Sequence, residues 1–192
     1  MIGMIKNRVA LVALIVCLLC AGALKSTRAE ENLAKVPTSR YVDNDKHFAM
    51  DIPLAWERRF PEDGGPRYLF ATGGKSAANA QAPEFALAVT GPDAKDDSLK
   101  SLAAFAAAAK KLVAAGASDV KLDKDKELKL DGESALSFDG SKTGKTGPAK
   151  FHQVVAVHNG MGYSISLACD PATFDGEWAA AQAVFDSIKW SK

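Results

Sequence analysis

The stretch Phe151-His152-Gln153-Val154-Val155-Ala156-Val157-His158-Asn159-Gly160-Met161-Gly162-Tyr163-Ser164-Ile165-Ser166-Leu167-Ala168 decides the fold. Phe151–Val157 and Tyr163–Ala168 are rich in β-branched and aromatic residues, which suit a pleated, half-buried surface. The residues between them, His158-Asn159-Gly160-Met161-Gly162, carry an Asn-Gly pair that tolerates the positive φ of a tight hairpin turn. The pair of runs therefore reads as an antiparallel hairpin. Two registers are open. With His158 opposite Tyr163, His152 falls opposite Cys169. With Val157 opposite Tyr163, Phe151, Val155, Ile165 and Leu167 share a face, and this second register buries more.

The same alternation continues toward the N-terminus. Val120, Leu122, Leu128 and Leu130 are spaced among Lys and Asp residues that form an exposed face, and the turn Asp131-Gly132 leads into Ala135–Asp139. Gly140–Pro148 reads as a flexible loop. Further upstream, Phe85, Leu87 and Val89 alternate within Glu84–Thr90, and Arg67–Thr72 forms another run. Pro61–Pro66 is dense in turn residues, and Gly73–Pro83 is a polar loop. Phe48, Met50 and Ile52 face one way and Ala49 and Asp51 the other until Pro53 stops the strand. Trp56, Arg58 and Phe60 follow on a second short strand.

Two segments have helical spacing instead. Leu99, Leu102, Phe105, Ala109, Leu112 and Val113 fall on one face, after cap and dipole partners Asp96, Asp97 and Ser98; Lys110, Lys111 and Gly116 close the segment. Asp170-Pro171 opens the other, where Phe174, Trp178, Ala181, Phe185 and Ile188 step by four and three. The order of runs predicts α+β architecture, an antiparallel β-sheet of about six to seven strands with helices packed on it. There is no βαβ rhythm and no Gly-rich nucleotide fingerprint after a strand.

The N-terminus has a different composition. Lys6 and Arg8 precede Val9–Leu24, 16 uncharged and mostly apolar residues. That is short of the roughly 20 needed to span a bilayer and matches the h-region of a secretory signal peptide. Cleavage sites fit after Ala23 and after Ala29, and the polar Lys25–Arg28 stretch favours Ala29/Glu30. The chain then divides into a signal peptide (1–29), a disordered lead-in (30–40) and one domain (41–192). Export to the periplasm or outside the cell is expected. Cys20 follows Leu19 and Cys17 follows Val16, so neither stands after the small residue that lipidation requires. No stable membrane span is expected after cleavage.

Charge and cysteine content narrow the function classes. The leader carries Lys6, Arg8, Lys25 and Arg28 and no acid, so the remainder has 20 basic and 23 acidic residues, a net charge near −3. A mildly acidic domain without a basic block lacks the footprint for nucleic-acid binding. Only Cys169 survives cleavage, so no internal disulfide forms.

Three pieces of the chain carry a family resemblance. Tyr41…His47-Phe48-Ala49-Met50-Asp51-Ile52-Pro53-Leu54-Ala55-Trp56 is similar to the F-x-x-x-x-P-x-x-W opening of PsbP-like domains. Leu130-Asp131-Gly132-Glu133-Ser134-Ala135 resembles their glycine turn and the small residue before a central strand. Gly162-Tyr163-Ser164-Ile165-Ser166-Leu167, Phe174 and Phe185-Asp186-Ser187-Ile188 resemble their final strand and helix. The resemblance spans most of Tyr41–Lys192. It implies the α/β/α sandwich shared by PsbP, the periplasmic protein DcrB and a Ran-binding import factor, whose members are mostly accessory or binding proteins rather than enzymes. It brings no catalytic residues to carry over.

The individual candidates for chemistry are weak. Gly140-Ser141-Lys142-Thr143-Gly144-Lys145-Thr146 has three residues between its glycines where a phosphate loop has four, and a strand follows Pro148 instead of a helix. Cys169 with His152 is the one pairing that suggests nucleophilic catalysis, and it depends on the hairpin register. His152 and His158 lie about 20 Å apart on one strand face at 3.3 Å per residue, and His47 is elsewhere, so no metal-ligand spacing emerges. Trp56, Trp178 and Trp190 suit core packing or the lining of an apolar pocket. Arg58, Arg59 and Arg67 suit a solvated surface or a small anionic-partner patch.

These readings lead to an exported, non-catalytic accessory protein with a protein or cell-envelope partner and with no cofactor, metal or catalytic residue assigned. The alternatives are a small apolar-ligand carrier, marked by a cavity of at least about 300 Å³, and a Cys169-dependent enzyme.

Overall fold

The computed structural model describes residues 37–59, 67–72, 81–92 and 97–191. The expected signal peptide, the Glu30–Val36 part of the lead-in, Phe60 and the Pro61–Pro66 turn lie outside the described residues, as does most of the Gly73–Pro83 loop. In chain order the elements are β1 (Thr38–Asp43), β2 (Phe48–Pro53), β3 (Glu57–Arg59), β4 (Arg67–Ala71) and β5 (Glu84–Thr90). Then come α1 (Leu102–Ala115), β6 (Ser118–Leu122), β7 (Lys126–Leu130), β8 (Glu133–Gly144) and β9 (Gly147–His158). β10 (Met161–Cys169), α2 (Phe174–Ser187) and β11 (Lys189–Trp190) complete the described chain. Among the described residues no helix is long and apolar enough to cross a membrane.

Among the described residues every strand pairing is antiparallel. The main sheet has eight strands in the order β3-β4-β5-β10-β9-β8-β6, with β7 also on β8; β1-β2-β11 form a second, three-stranded sheet. The expected α+β class and antiparallel sheet are therefore present, with more strands than the alternation alone revealed. Two stretches account for the difference. The lead-in expected through residue 40 gives way to β1 at Thr38, which pairs with Pro53 of β2. The loop expected at Gly140–Pro148 is the end of a long hairpin, in which β8 and β9 stay paired out to Gly144 and Gly147.

The β9–β10 hairpin adopts neither expected register. His158 pairs with Met161 and Ala156 with Tyr163, so the loop is only Asn159 and Gly160. Both have positive φ, 48° and 73°, the backbone of the two-residue hairpin turn. Ile165 and Leu167 then share a face with Val154, and Phe151 and Val155 point to the other. Asp131 and Gly132, at φ 48° and 86°, close the β7–β8 hairpin in the same way.

Each face of the main sheet has its own core. Phe85, Leu87, Tyr163, Ile165 and Leu167, all 0% or nearly so in exposure, meet β2 (Phe48, Met50, Ile52) and α2 (Ala181, Val184, Phe185) on one face. Phe138, Phe151 and Val155 meet Phe105, Ala106 and Ala109 of α1 on the other. Burying a large apolar side chain is worth about 1.5–3 kcal/mol, so both layers are well anchored.

The helix ends differ from expectation. Asp97–Lys100 is a short 3₁₀ turn, and the cap of α1 is Ser101, whose extended backbone lets its Oγ accept the Ala104 N–H at 3.1 Å. Leu112, expected on the core face, is 76% exposed. At 100° per residue it lies about 70° from the centre of the strip formed by Phe105, Ala106 and Ala109. Asp170-Pro171 forms a turn, not the first helical residues. Asp170 Oδ1 accepts the Ala172 N–H at 3.0 Å, and α2 begins at Phe174.

Candidate functional site

Cys169 and His152 do not form a dyad. The observed register sets Cys169 opposite Lys150 and His152 opposite Leu167. Cys169 is fully buried and burial pushes its thiol up to about 11. A buried thiol held in its neutral form is a poor nucleophile.

His152 instead pairs with Asp139, which lies directly across from it on β8. Nδ1 and Asp139 Oδ1 are 2.7 Å apart. An ionised carboxylate only accepts, so the ring proton sits on Nδ1. Lys126 Nζ donates to the other oxygen of Asp139 at 3.1 Å. Burial pushes the Asp139 carboxyl up, but the hydrogen bonds from His152 and Lys126 outweigh it and hold the group below its ordinary value. The opposite side of the imidazole is packed by α2, with the Trp178 ring at 4.4 Å and Phe185 at 5.4 Å. His152 thus ties helix to sheet, and among the described residues no hydroxyl or thiol is hydrogen-bonded to it.

The remaining candidates are also placed. His158 reaches Glu133 Oε1 at 3.2 Å and stacks on Trp190 at 5.0 Å, while His47 turns with φ 52° beside Ser191. Among the described residues no group of three His, Cys, Asp or Glu side chains lies together to hold a metal ion. The glycine-lysine stretch at 140–146 is strand and hairpin turn. Gly140 is required there by crowding, since a Cβ would sit 2.5 Å from the Lys121 carbonyl oxygen. Trp56 packs on Phe85 at 5.4 Å, and Trp190 on Tyr163 at 4.6 Å. All three tryptophans lie on the α2 side. Arg58 lies over the Tyr41 and Tyr68 rings at 5.1 and 5.8 Å, and Arg59 is exposed. The Arg67 side chain lies outside the described residues.

The feature with binding geometry lies on the opposite face. α1 packs over β8 and β9, and beside it a cleft of ≈ 360 Å³ extends over β5 and β10. Its floor is the small-residue phase of those strands: Ala86 and Ala88 from β5, Ser164, Ser166 and Ala168 from β10. Phe105, Ala109, Leu112 and Val113 form the wall on α1. The sequence reading missed these residues because it weighed the large members of each alternating strand. The signal was present in the other phase, where Ala and Ser recur without a bulky residue.

An antiparallel sheet with a helix on each face and a small second sheet under one of them defines an α/β/α sandwich. This is the PsbP-like fold. CyanoP, the cyanobacterial PsbP of Synechocystis sp. PCC 6803, superposes with a TM-score of 0.59 at 13% identity, over 82% of this chain and 94% of its own. LpqN of Mycobacterium tuberculosis, described as involved in cell envelope biogenesis, gives 0.55 at 15% identity, over 81% and 91%. A protein from Bacteroides thetaiotaomicron VPI-5482 gives 0.50 at 11% identity, over 80% of this chain and 48% of its own. At these identities the likeness is one of fold. No family model matches the chain, and no curated protein matches it in sequence.

Proposed function

We propose that the chain is an exported, non-catalytic accessory protein whose domain binds a protein of the cell envelope. The observation that carries this reading is Leu112, 76% exposed on the outer side of α1. It stands in an alanine-rich surface with Ala104, Ala107, Ala108 and Ala115, around a shallow hollow of ≈ 600 Å³ that Asp97, Ser98 and Lys111 also line. Isolated exposed apolar residues are ordinary, but contiguous ones mark interaction surfaces. A helix face of alanines lets a partner backbone approach closely. The leader read at residues 1–29 supports export, and the placement of Cys169 in the core supports a role without nucleophilic chemistry. The involvement of LpqN in envelope biogenesis is consistent with such a role.

A photo-crosslinking residue at position 107, in the full chain expressed in an exporting host, tests the reading. It should capture one defined envelope protein, and Ala107→Arg should abolish co-purification of that protein. A crosslinker at Thr146, at the tip of the β8–β9 hairpin, should not capture it. Equal capture from both positions, or none from position 107, counts against the proposal.

A further inference from the structure

We propose that the cleft between α1 and the β5–β10 floor binds a small uncharged molecule, apolar over most of its surface, with one hydrogen-bonding edge. This goes beyond the accessory role and concerns the sheet side of α1; Ala108 and Leu112 border both surfaces, whereas Ala107 belongs to the outer one. The volume, ≈ 360 Å³, falls in the range of about 300–1,000 Å³ typical of small-molecule sites. Size alone would not identify a ligand.

Gln153 supplies the chemistry. Only 6% exposed, it lines the cleft from β9, and its Nε2 donates to Ser164 Oγ at 2.6 Å. Its Oε1 has no hydrogen-bond partner among the described residues, yet it is not one of the sealed, unpartnered atoms. One end of the amide is thus engaged and the other reaches the cleft. This holds whichever way round the amide is assigned, because Ser164 can either donate or accept. The free end of the amide offers a ligand one fixed hydrogen-bonding group at the floor of the cleft.

The surroundings set the rest of the ligand's character. Beside Gln153, Ser164 and Ser166 place hydroxyls on the floor, while Ala86, Ala88 and Ala168 are apolar. The α1 wall is apolar, while Thr90 and Ser98 add hydroxyl-bearing residues to the rest of the lining. Ionised side chains stand only at the borders, Glu84 and Lys142, and Lys142 Nζ already lies over the Phe151 ring at 5.7 Å. A charged group carried into the middle would lose water without gaining a counter-charge. The site therefore selects a neutral molecule whose polar edge lies along the Gln153–Ser166 strip and whose body lies under α1.

N-phenyl-1-naphthylamine, neutral and apolar with one N–H donor, is a suitable probe for the full chain. Its emission should rise and shift to the blue with saturable 1:1 stoichiometry. Ala88→Phe, which fills the floor and is well suited to a strand, should weaken the probe at least tenfold. Ser166→Phe provides a second filling variant, and circular dichroism verifies that each is folded. Gln153→Leu should weaken it about fivefold, and Ala107→Arg should leave it unchanged. Anilinonaphthalene sulfonate, of similar shape but anionic, should bind more weakly than the neutral probe. Amide resonances of Ala88, Ser164 and Ser166 should move on titration. Absent or unsaturable binding, tighter binding of the anionic probe, full affinity in the folded filling variants, or shifts confined to the tryptophan-bearing face would each overturn the proposal.

Discussion

Phe105 of α1 occupies the space that a side chain on Gly162 of β10 would need. A Cβ on Gly162 would come within 2.5 Å of the ring and 2.7 Å of Leu99. This contact seats α1 on the sheet and fixes one wall of the cleft beside it. Gly162→Ala should therefore displace the helix and destabilise the domain by about 1–3 kcal/mol, as overpacking does. Urea unfolding measures the loss, and the bound naphthylamine probe should report a changed cleft even in the folded variant.

Cys169 should behave as a core residue. Iodoacetamide at pH 7.5 should leave it unmodified in the folded protein and label it once urea unfolds the chain. Its raised value has a sign for stability. The contribution is fully present below the ordinary thiol value of 9.0 and is lost as pH rises toward about 11, because the unfolded chain ionises first. A Cys169→Ala variant should show a flatter decline across that window in a pH series of thermal melts.

The Asp139–His152 pair should act in the opposite pH direction. The Asp139 carboxyl is held below 3.8, so its contribution is present above that value and lost as pH falls through the lower folded value. Asp139→Asn should destabilise the protein by roughly 1.5–3 kcal/mol at pH 7, the scale of a hydrogen bond to a charged group. It should also reduce the steepness of acid unfolding below about pH 4. Trp178, in contact with His152, should change its emission in the same variant.

Two glycines of the stretch that resembles a phosphate loop should separate cleanly. Gly140→Ala places a Cβ against the Lys121 carbonyl and the Phe151 ring, both at 2.5 Å, whereas Gly144→Ala meets only the Gly147 carbonyl at 4.0 Å. The first should cost about 1–3 kcal/mol and the second less than about 0.5 kcal/mol. Equal effects in thermal melts would show that crowding is not what places glycine at 140.

The architecture was legible where large and small residues alternate strongly. Phe85-Leu87-Val89 and Ile165-Leu167 marked the central strands, and Asn159-Gly160 marked the turn between β9 and β10. Register was not legible, because alternation assigns faces only relative to a chosen loop length. Here the loop proved to be the shortest that Asn-Gly permits, which moved Phe151 and Val155 to the α1 side and His152 away from Cys169. β1 was hidden because Thr38–Asp43 is largely exposed and polar, with pairing to β2 as its main support. The end of β8 was hidden because Gly140 reads locally as a turn residue, while its real constraint is a neighbouring backbone 118 to 122. The cleft was hardest to foresee, since Ala and Ser declare a surface only once a helix stands beside them.

The far side of β8 is bordered by two short strands instead of one. Ser118 lies opposite Thr143 and Lys121 opposite Ser141, so three steps on the outer chain match two on β8; Leu122 to Lys126 then spans four steps against three. Each slip twists the border, and lysines stud it at positions 121, 126 and 129. A second molecule approaching edge-on finds no straight run of unpaired amides long enough to extend the sheet. This broken margin is a built-in guard against growth into filaments.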